Sequence, residues 1–204
     1  MADAVVFAKN KDAGPAATDW NRKQREQFRA ITVIAVDGVD FMPYLKLLLP
    51  SDQPLVDRVV VVTDGDSGAG ANRRDKINEE FEVHVDQGCL SVHVGETTLE
   101  AEMYGLAENE PLLRGAFEIQ HPQSLEKWDA IASDIDTPAE RATAFSQALK
   151  NKSLDLGKGD FAHVVAEMLV DSDPAANLTV PSYLEAAILA ATIHAEPEEA
   201  DGAT

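Results

Sequence analysis

Short runs of β-branched and aliphatic residues alternate with helical segments in the first half of this chain. The runs are ITVIAV (31–36), RVVVVT (58–63) and LSVHV (90–94). Between them, residues 40–49 and 71–81 have helical character, and Asp40 is the expected cap of the first helix. Continuous apolar strands that alternate with helices are typical of parallel sheets covered on both faces. The sequence therefore predicts an α/β core over residues 31–109 with mostly parallel strands.

The second half of the chain, residues 110–195, is predicted to be a helical extension of this core. In TPAE (137–140) a threonine precedes a proline and lies three residues before a glutamate, which is the pattern of a capping box. SYLE (182–185) has the same spacing before an apolar run. Asp160 is the expected cap of a third helix, FAHVVAEML.

The composition is that of an acidic, soluble protein. There are 36 Asp and Glu residues against 17 Lys and Arg, a formal net charge of -19, and such a surface repels nucleic acid unless cations are concentrated locally. Cys89 is the only cysteine, so neither an intrachain disulfide nor a cysteine-based zinc site is encoded. With no leader-like start and no apolar run of about 18 residues, we expect a cytoplasmic protein that is not membrane-bound.

The two ends of the sequence are predicted to lie outside the main fold. Residues 1–30 form an N-terminal segment of mixed character. Residues 196–204 are an acidic tail that we expect to be disordered.

Two aspartates follow the valine run directly. Asp64 and Asp66 are expected at the carboxyl end of a parallel strand, where ligands of open α/β sheets collect, with Gly65 allowing the backbone to turn. Two converging carboxylates repel each other by about 4 kcal/mol at 4 Å if the effective dielectric constant is about 20. A hard divalent cation such as Mg²⁺ or Mn²⁺ removes that repulsion. On the tripeptide alone, a metal site and a solvated Asp-Gly turn are equally supported.

The order of four short segments resembles one protein family. ITVIAVDGVDFMPYLKLL, RVVVVTDGD, TTLEAEMY and GKGDFA follow one another as in the TOPRIM domain of the OLD-family (overcoming lysogenisation defect) ATP-dependent endonucleases, over residues 31–193. The resemblance implies a small Rossmann-like sheet with a helical C-terminal extension and metal-dependent cleavage of DNA. It also implies an ABC-type ATPase as a partner domain or subunit, since this sequence has no G-x-x-x-x-G-K-[ST] segment.

The resemblance also implies roles for four residues of this chain. It makes Asp64 and Asp66 metal ligands, and Glu100 the acid that completes or bridges a second ion. Lys158 matches the basic residue that the family places near the scissile phosphate. Two Mg²⁺ or Mn²⁺ ions at such a site stabilise the attacking and the leaving oxygen of a phosphodiester and activate water.

Two of these residues have simpler explanations from the sequence alone. Glu100 lies three residues after Thr97, so it is also spaced to close a capping box, and Glu102 is then an alternative ligand. Lys158 is equally well explained as an exposed loop lysine.

One part of the family pattern is missing. TOPRIM domains begin with a strand that ends in Glu-Gly, and no such pair precedes the first predicted strand here. Asp37 and Asp40 in VDGVD have a similar spacing, so the family pattern would make Asp37 a substitute ligand. We expect a preceding segment or a second polypeptide to supply the missing acid; loss of catalysis is the alternative. Arg73, Arg74 and Lys76 either hold the flanking DNA backbone or form a solvated helix face.

The sequence therefore predicts a metal-dependent DNA endonuclease module of an OLD-like system, directed against foreign DNA such as phage genomes, and compatible with a homo-oligomer. Two alternatives remain open. Haloacid-dehalogenase-type phosphatases also use a strand that ends in D-x-D, with the first aspartate as nucleophile. A TOPRIM-like module that binds a metal or an ATPase without catalysis is the third interpretation.

Overall fold

Two parallel strands form the sheet of this protein within its described residues. The computed structural model describes residues 22–23, 26–51, 53–131, 135, 137–171 and 178–192. Strand β1 (Val59–Thr63) pairs in parallel with β2 (Leu90–Val94), with Val61 opposite Val92. These are the second and third of the three predicted strands, and their parallel arrangement is confirmed.

Helices form most of the remaining structure. After residue 40 they are α1 (Met42–Leu48), α2 (Ala69–Glu80), α3 (Glu82–Asp86), α4 (Leu99–Gly105), α5 (Glu110–Gln120), α6 (Leu125–Asp129), α7 (Pro138–Lys150), α8 (Lys158–Asp171) and α9 (Ser182–Thr192). Residues 22–23 and 26–29 are also helical. The fold is therefore mixed α/β and mostly helical. No helix in the described ranges is long and apolar enough to cross a membrane.

The prediction of a first strand at residues 31–36 is wrong. These residues have no regular secondary structure, and the side chains of Val33 and Ile34 are 80% and 49% exposed. An apolar run is stabilised as a strand by packing against neighbouring strands and helices rather than by backbone preference alone. No such packing partner covers this run among the described residues, so the pattern does not produce a strand.

One face of the sheet packs against α1 and α2. Leu45 and Leu49 of the first helical segment and Ile77 of α2 are buried together with Val61 and Leu90 of the two strands. The apolar residues that the sequence supplies at alternate strand positions therefore form the core of the α/β part, as expected for a covered strand face.

The helical region has its own, aromatic core. Tyr104 stacks on Phe145 with ring centroids 4.5 Å apart, and the edge of Trp128 meets both rings. At the start of α7 the predicted threonine cap is confirmed, because Thr137 accepts the backbone N–H of Glu140 at 3.4 Å. The Glu140 carboxylate accepts the Thr137 hydroxyl at 2.6 Å, so the pair interacts but does not form the full capping box. Such caps contribute about 1 kcal/mol.

Helix α8 begins earlier than predicted. Its first residue is Lys158, and the N–H of Phe161 donates to the carbonyl of Gly157 at 2.9 Å. Asp160 therefore lies inside the first turn and is not the cap. The consequence is that Lys158 has a fixed place at a helix start, where the backbone favours negative charge.

Long-range contacts join the helical region to the sheet. Helix α9 packs against both strands, and Arg58, which precedes β1, donates to the carbonyl of Ala190 at 2.6 Å. The buried Asn109 forms two hydrogen bonds with the backbone of Thr179, each 2.8 Å long. A segment predicted as part of the helical extension thus covers the α/β core. The acidic tail and most of the N-terminal segment lie outside the described residues.

Candidate functional site at the end of the first strand

Asp64 follows β1 directly and lies in a half-buried position. Burial raises the pKa of its carboxyl above the usual value, and the neighbouring carboxylates of Glu100 and Asp66 raise it further. A hydrogen bond from the N–H of Leu99 and the positive charge of Lys158 act in the opposite direction and are smaller. Burial and the two neighbouring carboxylates therefore disfavour the charged form of Asp64 more than its other neighbours stabilise it.

Gly65 is required by close packing of the two strand ends. A Cβ atom at this position would lie 2.3 Å from the carbonyl oxygen of Gly95 and 2.4 Å from that of Glu96. Its N–H donates to the carbonyl of Thr97 at 2.8 Å, which ties the end of β1 to the loop after β2. The positive φ angle of this turn, 46°, is at Asp66 instead. The expected reason for the glycine, freedom to turn, is thus wrong.

Asp66 begins a short 3-10 turn and is exposed. The guanidinium of Arg73 on α2 lies 3.5 Å from its carboxylate and also donates to the hydroxyl of Thr63 and to the backbone carbonyl of Asp64. Arg73 therefore holds the end of β1 in place through three contacts. Its predicted role at the DNA backbone stays a prediction.

Glu100 and Lys158 reach the same place from distant parts of the chain. Glu100 lies in the first turn of α4, and its carboxylate is 3.8 Å from the ammonium of Lys158 at the start of α8. Both charges act on the Asp64 carboxyl. The structure thus brings together Asp64, Asp66, Glu100 and Lys158.

The capping-box explanation of Glu100 is wrong. Thr98, not Thr97, caps α4, and its side chain makes no capping bond. The glutamate that bonds back is Glu102, whose Oε1 accepts the N–H groups of Glu96 at 2.6 Å and Thr97 at 3.0 Å. Glu102 therefore holds the loop after β2, while Glu100 remains turned towards Lys158.

Tyr183 also belongs to this site, although no motif in the sequence indicates it. Its ring lies against Gly95, where a Cβ atom would be 3.2 Å from ring atoms Cε1 and Cζ. Burial raises the pKa of its phenol strongly, and the carboxylates of Glu102, Asp64 and Glu100 raise it further. The sequence predicted only a helix start here, and no local pattern reveals that α9 packs on the sheet.

Asp37 and Asp40 do not join the cluster. Neither contributes to the charges that shift the Asp64 carboxyl. Asp37 lies in the exposed stretch before α1. The predicted cap at Asp40 is wrong: Phe41 is the N-cap of α1, and Asp40, one residue earlier, accepts the N–H of Met42 at 3.3 Å. A cavity of about 150 Å³ lies beside Arg73; its lining residues are Val39, Asp40, Phe41, Met42, Arg73, Lys76 and Ile77.

The donor atoms at this site suit a hard divalent cation. Carboxylate oxygens are the ligands that Mg²⁺ and Mn²⁺ prefer. Burial and, after it, the carboxylates of Glu100 and Asp66 raise the pKa of Asp64, and a bound cation would oppose that shift. In the described residues, no three acidic, histidine or cysteine side chains are arranged closely enough to hold one ion. Glu100 is paired with Lys158 at 3.8 Å, so a metal ion at this site would compete with the ammonium for its carboxylate.

No known protein family, curated protein or solved structure matches this chain.

Proposed function

We propose that this protein is the metal-dependent DNA endonuclease module of an OLD-like system, with a TOPRIM-like α/β core. The observation that supports the proposal is the meeting of Asp64, Asp66, Glu100 and Lys158 beyond the carboxyl end of β1. These four residues come from three separate segments, and the family resemblance requires the same four to act together. Carboxylates without a compensating cation are costly in a folded protein, which favours a role in ion binding.

Each residue has a distinct part in the proposed reaction. Asp64, Asp66 and Glu100 would hold Mg²⁺ or Mn²⁺, two ions in all, which lower the pKa of an attacking water and polarise the phosphate. Lys158 would exchange its contact with Glu100 for the phosphate, where its ammonium would neutralise negative charge. Arg73 keeps the two aspartates in register through its bonds to Thr63 and Asp66.

The overall charge of the chain bears on how it meets DNA. At -19 its surface repels the phosphate backbone, so productive binding depends on metal ions at the site and on the few cations nearby. Lys76 is exposed and lines the cavity beside Arg73. An ABC-type ATPase partner, as a domain or subunit in the cytoplasm, would supply the remaining DNA affinity.

Plasmid nicking tests the proposal. Supercoiled DNA is incubated with the wild-type protein and with Asp64→Asn, with Mg²⁺, Mn²⁺ or EDTA. We expect metal-dependent nicking that D64N abolishes and that Asp75→Asn retains, since Asp75 is on the exposed surface of α2 and pairs with Arg74. Equal nicking by wild type and D64N would contradict the assignment of the site.

Two other outcomes would redirect the function. Hydrolysis of an aryl phosphate without DNA cleavage would favour a phosphatase that uses Asp64 as nucleophile. Metal binding with neither activity, also in the presence of an ATPase partner, would favour a non-catalytic module.

A further inference from the structure

Tyr183 presents a hydroxyl group at the edge of the acidic site. It is the second residue of α9, and its ring atom Cζ, which carries the hydroxyl, is in contact with Gly95 at the end of β2. The phenol oxygen is therefore at the strand ends, beside the loop that Glu102 holds, and not deeper in the helix packing.

This hydroxyl has no hydrogen-bond partner among the described residues. A half-buried tyrosine usually finds an acceptor for its O–H group. Among the carboxylates that raise the pKa of Tyr183, that of Glu102 has the largest effect. Its Oε1 atom already accepts the N–H groups of Glu96 and Thr97. Tyr183 thus offers a donor that its own neighbours leave unused.

Gly95 is the residue that makes this placement possible. A Cβ atom there would lie 2.3 Å from the Oε1 atom of Glu102 as well as 3.2 Å from the Tyr183 ring. The absence of a side chain thus lets the glutamate and the tyrosine pack on the same strand end. The phenol is held by packing, so little conformational entropy is lost when it binds a ligand.

We propose that the Tyr183 hydroxyl donates a hydrogen bond to a non-bridging oxygen of the DNA phosphate bound at this site. The inference rests on the proposed function and extends it by a residue that contacts the substrate. A neutral donor suits this position, because a phosphate oxygen only accepts hydrogen bonds and the surrounding side chains are already charged. Lys158 and Tyr183 would then hold the phosphate from α8 and α9, while the acids hold the metal.

The test compares Tyr183→Phe with wild type in two assays. Phenylalanine keeps the ring against Gly95 and removes only the hydroxyl, so the fold is retained, which circular dichroism checks. A fluorescent DNA duplex is bound in Ca²⁺, and nicking is measured in Mg²⁺. We expect Y183F to lose about 10- to 100-fold in DNA affinity or in nicking rate, as for a hydrogen bond to a charged group. The half-saturating Mg²⁺ concentration should not change.

Tyr44→Phe is the matched control, because Tyr44 lies on α1 with its side chain partly exposed. Wild-type affinity and rate in Y183F would overturn the inference and leave the nuclease proposal intact. If wild type binds DNA without cleaving it, also in the presence of an ATPase partner, the nuclease proposal fails and the affinity of Y183F still decides the role of Tyr183. If wild type neither binds nor cleaves DNA, both proposals fall.

Discussion

Replacing Asp64 by Asn should change thermal stability in opposite directions with and without a divalent metal. Without metal at pH 7.5, the variant should be the more stable protein. The pKa of Asp64 is raised in the folded state, so the folded protein holds this proton more tightly than the unfolded chain. Its contribution to stability is therefore present at low pH and is lost as pH rises through the folded pKa. At neutral pH the charged Asp64 destabilises the fold, and Asn removes that charge.

The magnitude without metal is small. Asp64 interacts with two carboxylates and one ammonium in a half-buried, partly screened position, so the net gain is about 1 kcal/mol. For a chain of this length, that corresponds to a rise in Tm of about 2 to 4 °C.

With metal the order should reverse. A ligand that binds only the folded state at about 100 times its Kd adds about 2.7 kcal/mol, or about 5 to 11 °C in Tm. Wild type should show this gain, whereas D64N, which lacks the central ligand, should gain little.

Differential scanning fluorimetry with EDTA or with increasing MgCl₂ or MnCl₂ measures both effects. Asp75→Asn is the control for loss of one negative charge, since Asp75 lies outside the cluster and pairs with Arg74. An equal response of wild type and D64N to metal would refute the argument, because the stabilising ion would then bind elsewhere. A metal-free D64N that melts below wild type would refute the inferred repulsion.

Three further results are expected. Gly65→Ala should lower Tm by several degrees, because the added Cβ would lie 2.3 Å from a backbone oxygen and overpacking costs about 1 to 3 kcal/mol. Gly159→Ala is the control and should not lower Tm, since nothing lies within 4 Å of its Cβ position. Equal Tm values for the two variants would contradict the close packing at Gly65. Burial lowers the pKa of His93 below 6.5, so its contribution to stability is lost as pH falls below that value. The free energy of unfolding of His93→Gln should fall less than that of wild type between pH 7.5 and 5, a range that spans the ordinary His pKa of about 6.5. Parallel curves of stability against pH for the two proteins would contradict this. Lys76→Glu should weaken DNA binding and reduce the salt dependence of that binding, and fluorescence anisotropy measures both. Lys127→Glu, in the helical region, is the control and should have smaller effects. Equal effects of the two substitutions would show that Lys76 does not lie at the DNA interface.

The sequence predicts the strands correctly only where the fold supplies a partner. VVVVT and LSVHV pair with each other over helices that the sequence also predicts, whereas ITVIAV, with the same pattern, stays unpaired and exposed. Residue pattern alone does not say which of three equally apolar runs will be covered.

Local chemistry predicts one helix start correctly and misassigns another. The threonine cap at Thr137 was predictable, because its two partners are three residues apart. The same spacing offers a capping role as the alternative for Glu100, and that alternative is wrong because Glu102 reaches the loop N–H groups. Several residues with similar short-range options compete, and only the packed structure decides between them.

The candidate site was predicted through the family resemblance, and its missing members are those that depend on tertiary packing. The segments that carry the resemblance contain Asp64, Asp66, Glu100 and Lys158. Tyr183 joins them because α9 packs on two strands that lie about 90 and about 120 residues earlier in the chain. No periodicity or local motif encodes that contact.

A crystal structure of the protein soaked in MnCl₂, with anomalous diffraction data, tests the central claim most directly. We predict an anomalous peak at the carboxyl end of β1, in contact with the carboxylates of Asp64 and Glu100, with the ammonium of Lys158 displaced from its 3.8 Å contact. Manganese bound elsewhere, with the Glu100–Lys158 pair unchanged and no peak beside Asp64, would contradict the claim that these acids form a metal site.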